Sequence, residues 1–125
     1  MSTSIPSKLF DSSATMDELK TLVDQFVEER SWKSFHSPKN LAMSISIEAA
    51  ELMELFQWTD PDSASNPEDH DSLIAQELSD VLAYTLALAN VLGIDLSRAL
   101  ESKMERNRQK YPVGVPFVPK GISNK

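Results

Sequence analysis

The sequence contains no cysteine, and this absence excludes several classes of protein. A disulfide-stabilised domain, a cysteine nucleophile and every zinc site with thiolate ligands need a residue that the chain does not have. Histidine is almost as scarce, because only His36 and His70 are present, so a zinc site built from several imidazoles is excluded as well. A metal site in this protein must therefore depend mainly on oxygen ligands.

The sequence also contains few basic residues and no long apolar run. The 125 residues include 12 lysines and arginines against 19 acids, which gives a net charge of −7. Nucleic acid polymers require a basic surface, so we expect none as a partner. No stretch approaches the roughly 18–20 apolar residues of a membrane span, and no basic region followed by an apolar core begins the sequence. The sequence therefore predicts a cytoplasmic protein without membrane contact.

The chain divides into a central helical region and two terminal segments. Residues 1–14 are rich in serine and threonine and predict a flexible arm, and residues 113–125 predict a C-terminal tail. Residues 15–112 predict a single domain. Because this domain has helical periodicity and no strand pattern, its predicted fold class is all-α, as a four-helix bundle.

Capping signals and apolar spacing locate the four helices. Thr15, Ser37 and Asp95 are suited to N-cap positions, and Gly93 is suited to a left-handed helix end. Asn66-Pro67 supplies the opening of the third helix. The predicted helices run from about Met16 to Arg30, from Pro38 to about Trp58, from Pro67 to Leu92 and from Leu96 to about Lys110.

Two of these helices carry acids at positions that apolar residues would normally fill. Glu48 falls in the apolar series of the second helix with Glu51 one turn away, and Glu77 and Asp80 repeat this arrangement in the third. Ionised carboxylates at such positions are costly unless they bind protons or cations. Two interpretations stay open: a cation site, or solvated acids on the edges of the bundle. The apolar positions of the two series are Leu41, Ile45, Leu52 and Leu55, and Leu73 and Tyr84.

If these acids hold a cation, their oxygen ligands favour Mg²⁺, with Mn²⁺ as a possible substitute. A di-iron centre is disfavoured, because helical di-iron bundles use Glu-x-x-His pairs and neither acidic pair has histidine at the fourth position.

The motif Glu48-x-x-Glu51 followed by Glu77-x-x-Asp80 resembles the metal signature of the MazG-like, all-α nucleoside triphosphate pyrophosphohydrolase superfamily. The similarity is closer to its dCTP pyrophosphatase branch and extends over about residues 16–112. One departure is Val23, which stands where vertebrate members have a histidine. The segments that carry the resemblance are Arg30–Leu41, Glu51–Trp58, Gln76–Leu82 and Ser102–Pro112.

This resemblance implies a Mg²⁺-dependent hydrolase that converts dCTP, or a modified dCTP, into dCMP and diphosphate and so sanitises the nucleotide pool. It implies that Glu48, Glu51, Glu77 and Asp80 are the catalytic residues and metal ligands. Because related enzymes are dimers or tetramers, we expect a homotetramer, a dimer of dimers. The substrate-binding positions are Trp32, Phe35, His36, Trp58 and Tyr84, with Lys103 and Asn107 near the phosphates.

Two other functions stay open. A MazG-like enzyme of broad specificity would catalyse the same reaction on many nucleoside triphosphates, whereas a helical interaction module would carry the same acids as a solvated surface. A phosphoribosyl-ATP pyrophosphohydrolase is disfavoured by the branch that the sequence resembles. Dependence of turnover on a divalent metal separates the interaction module from both enzymes.

Overall fold

The computed structural model describes residues 8–58 and 72–116. These two ranges contain no strand, and the all-α prediction is confirmed. A short 3₁₀ helix, Lys33–Phe35, lies between the first two α-helices. The α-helices are α1 (Met16–Glu29), α2 (Pro38–Glu54), α3 (Leu73–Leu92) and α4 (Leu96–Lys110).

The described residues form two compact units. The first ends at Ile94 and contains α1, α2 and α3, and the second begins at Asp95 and contains α4. The boundaries predicted after residues 14 and 112 stay a prediction, because residues 1–7 and 117–125 lie outside the described ranges. Among the described helices, none is by itself long and apolar enough to cross a membrane, and only α3 and α4 taken as a pair reach that length and composition.

Three helices begin where the capping residues predict. Thr15, Ser37 and Asp95 each accept a hydrogen bond from the backbone N–H three residues further on. The capping box at Thr15 is complete, because the Glu18 carboxylate accepts from the Thr15 N–H at 2.9 Å. Local hydrogen-bonding chemistry is thus sufficient to set these helix starts.

The second helix is one turn shorter than predicted, since it ends at Glu54 rather than near Trp58. Beyond Glu54 the backbone bonds join residues three apart, at 3.2 Å for the Leu55 N–H and 3.0 Å for the Phe56 N–H. Such bonds belong to a tighter turn than the α-helix, and the chain leaves α2 through it.

The third helix ends as predicted and begins at Leu73. The side chain of Ser72 caps this start, accepting a backbone N–H at 3.1 Å. The predicted start at Asn66-Pro67 lies outside the described residues. At the other end, Gly93 has φ 66°, the left-handed conformation that a residue without Cβ adopts without strain.

In the first unit, both α1 and α2 pack against α3, which is the central helix. The Asn90 Nδ2 donates to the Lys20 carbonyl at 3.0 Å, and the Lys20 Nζ donates to the Ile94 carbonyl at 2.6 Å. These bonds join α1 to the end of α3. The buried apolar residues are Val27, Leu41, Leu86, Ala87 and Ala89.

Candidate functional site

Three of the predicted acids converge between α2 and α3. One carboxylate oxygen from each of Glu48, Glu51 and Glu77 lies within 4.8 Å of the others. The three-residue spacing puts Glu48 and Glu51 on neighbouring positions of one helix face, and the packing of α2 on α3 brings Glu77 opposite them. We call these three residues the acidic cluster.

The acidic cluster is only partly exposed. Glu48 and Glu77 are half-buried, whereas Glu51 and Asp80 are exposed. Glu51 and Asp80 are thus exposed in this structure, although both lie in helical series that apolar residues would normally fill.

The carboxyl groups of the cluster perturb one another. Burial is the largest of the causes that together raise the pKa of Glu48 to about 7; the others are a hydrogen bond with Glu51 and the charges of Glu51, Asp80 and Glu77. Burial also raises the pKa of Glu77, again with help from Glu51 and Asp80. Asp80 thus acts electrostatically on the cluster although its oxygens are not among the three grouped within 4.8 Å.

The donor set fits a hard divalent cation. All three ligand groups are carboxylates, which suit such an ion. In addition, the Oε2 atoms of Glu48 and Glu77 are buried and have no hydrogen-bond partner within the described part of the chain. Buried acceptors without a partner are costly, and a cation between the carboxylates would satisfy them and remove the repulsion.

A cavity of about 200 Å³ gathers four of the seven predicted substrate positions. Leu41 and Ser44 of α2 also line it, and sequence reasoning did not include them among substrate positions. The signal for Ser44 was available, since it lies one turn before Glu48. We call this space the aromatic cavity; its four predicted lining residues are Trp32, Phe35, His36 and Tyr84.

The other three predicted substrate positions lie elsewhere. Trp58 is 89% exposed and does not line the aromatic cavity. Lys103 and Asn107 belong to α4, in the second unit, so their approach to a substrate stays a prediction.

A second cavity, of about 270 Å³, lies between α1, the 3₁₀ helix and α3. Its polar lining includes Asp24, Lys33 and Asn90, none of which sequence reasoning selected. Asn90 had a signal, because it is polar within the apolar second half of α3. His36 lines both cavities.

Comparisons with known proteins identify a family and several relatives that this chain is similar to. The model of the MazG-like family matches residues 43–115, a range that contains all four predicted acids. A curated relative, dCTP pyrophosphatase 1 of Mus musculus, is 42% identical over 107 residues, which are 83% of this chain and 63% of that protein. The Homo sapiens protein of the same name is 41% identical over 107 residues, 82% of this chain and 62% of the relative.

The chain therefore spans less than two thirds of the length of these relatives. A solved structure matches over almost its whole length. This crystal structure of a pyrophosphatase from Archaeoglobus fulgidus DSM 4304 has a TM-score of 0.65 and 41% sequence identity, and the match covers 84% of this chain and 99% of that one.

Proposed function

This chain belongs to the MazG-like family, and from that premise we propose that it hydrolyses a nucleoside triphosphate, in the first place dCTP or a modified dCTP, to the monophosphate and diphosphate. The observation that carries the proposal is the acidic cluster between α2 and α3 together with the aromatic cavity, whose lining includes Leu41 and Ser44 of α2 and Tyr84 of α3. Tyr84 of the cavity follows Asp80 by one turn of α3, which puts a base-sized space next to carboxylates.

The charge of the substrate requires a cation at this site. A triphosphate carries roughly four negative charges, and carboxylates alone would repel it. We propose Mg²⁺, with Mn²⁺ as a substitute, held by Glu48, Glu51 and Glu77 together with Asp80. When bound, the ion neutralises phosphate charge and orients the reacting groups.

The chain's own residues supply the remaining functions. Trp32, Phe35 and Tyr84 offer flat apolar surfaces against which a base can stack. His36 offers a ring nitrogen to a base edge. A carboxylate of the site accepts the proton of the attacking water, and the basic Lys103 with Asn107 completes the proposed contacts at the phosphates.

A chromatographic product assay tests this function. Purified protein is incubated with each common dNTP and NTP and with 5-methyl-dCTP, in Mg²⁺ and in EDTA. We expect dCMP and diphosphate from dCTP and no turnover in EDTA. A flat substrate profile would replace the cytosine preference with broad specificity, and no turnover of any nucleotide would favour a helical interaction module.

Variants locate the reaction at the acidic cluster. Glu48→Gln and Glu77→Gln should abolish turnover while the far-UV circular dichroism stays that of the parent. Glu101→Gln is the matched control, because it makes the same chemical change at an exposed acid of α4 outside the acidic cluster. The partner of Glu101 is Arg98, at 3.4 Å. Full activity in either cluster variant would contradict the proposed site.

We also propose a homotetramer located in the cytoplasm, without nucleic acid or membrane partners. Apolar side chains remain exposed on two helices, with Ile47 of α2 at 56% and Leu78 and Leu82 of α3 at 55% and 44%. Contiguous apolar patches on a protein surface commonly mark subunit interfaces. Light scattering after size-exclusion chromatography tests the assembly, and a monomeric mass would contradict it.

A further inference from the structure

α1 ends in a turn that leads directly into the aromatic segment. The Ser31 N–H donates to the Glu28 carbonyl and the Trp32 N–H donates to the Val27 carbonyl, both at 3.0 Å. This pair of bonds defines the Schellman motif, whose left-handed position is usually glycine. Here Ser31 occupies it with φ 55°, the only residue other than glycine in the described ranges with positive φ.

Phe26 reinforces this turn from the last part of α1. Its ring meets that of Trp32 edge-to-face, with 5.6 Å between centroids and 76° between planes. The guanidinium of Arg30 lies 3.7 Å from the Phe26 centroid, and the Arg30 Nη1 donates to the Phe26 carbonyl at 3.2 Å. Phe26 is therefore fixed by Arg30 and in turn fixes the indole of Trp32.

Ion pairs also join Lys33, the residue after Trp32, to α1, but they constrain the position of Trp32 less. The Lys33 Nζ lies 2.8 Å from a Glu28 oxygen and 3.6 Å from an Asp24 oxygen. Because all three side chains are about half exposed, solvent weakens these pairs. The aromatic contact and the two backbone bonds are the stronger constraints on Trp32.

Trp32 connects the turn to the aromatic cavity. Trp32 is 42% exposed and lines that cavity, whereas Phe26 does not line it. The ring contact with Trp32 therefore connects Phe26 to a ligand in the cavity. A flat ligand that stacks on an indole already held in place loses less conformational entropy than one that must immobilise the ring.

We propose that Phe26 is a positioning residue, which holds the Trp32 ring against the left-handed turn at Ser31 and so sets the affinity of the aromatic cavity for a nucleotide base. The inference rests on the proposed function. Because the base stacks equally in the ground state and in the transition state, loss of Phe26 raises KM and leaves kcat unchanged.

A double-mutant cycle tests this role. Phe26→Leu keeps an apolar side chain but removes the ring contact, and should raise KM for dCTP about three- to tenfold at constant kcat. In the Trp32→Ala background the same substitution should change nothing further, because the residue through which it acts is gone. An unchanged KM, or an equal rise in both backgrounds, would overturn the proposal.

Phe10→Leu is the matched control. It makes the same chemical change at a similarly exposed position, since Phe10 is 57% exposed and Phe26 46%. We expect it to leave KM and kcat at parental values. Loss of thermal stability in Phe26→Leu without a change in KM would show a merely structural role and would count against the proposal.

The turn supplies a second pair of variants. Ser31→Gly should keep the parental KM, because glycine adopts positive φ freely. Ser31→Val should raise KM as Phe26→Leu does, because a β-branched residue strongly disfavours this conformation. Equal KM values for both variants would contradict a role for the left-handed turn.

A nucleotide-free measurement separates this inference from the proposed function. In a Trp58→Phe background, Trp32 is the remaining tryptophan, and Phe26→Leu should increase the quenching of its fluorescence by acrylamide. Unchanged quenching would refute the positioning of the indole whether or not a nucleotide is hydrolysed. If the parent hydrolyses no nucleotide but quenching increases, the proposed function and the base affinity fail while the contact with Trp32 stands.

Discussion

Replacing Glu48 with glutamine should stabilise the metal-free protein at pH 8. Folding raises the pKa of Glu48 from its ordinary 4.5 to about 7, chiefly through burial. The folded state therefore binds this proton more tightly than the unfolded state does. Well below pH 4.5 the carboxyl is protonated in the folded and in the unfolded state, and it then leaves the free energy of unfolding unchanged. As the pH rises from 4.5 to 7 the penalty grows, and above 7 it is complete.

The size of this penalty follows from the pKa difference. A difference of about 2.5 corresponds to at most about 3.4 kcal/mol. Because Glu48 is partly exposed, solvent screens its charge, and we expect about 1–2 kcal/mol. Glutamine has nearly the same shape and no charge. The variant should therefore gain about 1–2 kcal/mol at pH 8, or roughly 4–8 °C in Tm.

Thermal unfolding in EDTA at pH 4 and pH 8 measures this effect. At pH 8 Glu48→Gln should unfold at a higher temperature than the parent, and at pH 4 the difference should disappear. Added Mg²⁺ should then raise the Tm of the parent and leave that of the variant nearly unchanged. Glu101→Gln serves as the control for removing an exposed acid. A variant equal to or less stable than the parent at pH 8 would refute the electrostatic reasoning.

Three further predictions concern single positions. Asp80→Asn should lower kcat at least tenfold and lower the pKa of Glu48, because Asp80 is one of the charges that raise it; an NMR titration of the carboxyl carbon measures the latter. Gly93→Ala should destabilise the protein by about 1 kcal/mol through backbone strain at positive φ. A Cβ at this position meets no atom within 4 Å, so no steric clash adds to that strain. Denaturant unfolding measures the loss, and an unchanged midpoint would contradict the argument. Thr15→Ala should cost about 1 kcal/mol through loss of the capping box, whereas Thr15→Ser should retain most of the stability.

The local features of the fold were predictable because each depends on a few neighbouring residues. The side chains of Thr15 and Asp95 cap their own helices, and Gly93 ends α3 without help from elsewhere in the chain. The end of α2 was not predictable in this way. The sequence stays compatible with helix as far as Trp58, and the tighter turn after Glu54 has no signal in residue type.

The candidate site was predictable in its residue types but not in its geometry. Helical spacing identifies Glu48 and Glu77 as acids on apolar stripes, but only the packing of α2 on α3 decides that their oxygens meet. Spacing also cannot distinguish the half-buried Glu48 from the exposed Glu51. The contact of Phe26 with Trp32 depends on the left-handed turn between them, and serine at that position predicts no such turn.

His36 lines two cavities, one of about 200 Å³ and one of about 270 Å³. A substitution of His36 would therefore change the lining of both spaces. An inhibitor bound in the aromatic cavity would be extended past His36 to reach the second cavity. Selectivity would then depend on the charges of Asp24 and Lys33 and on the amide of Asn90, which line the second cavity.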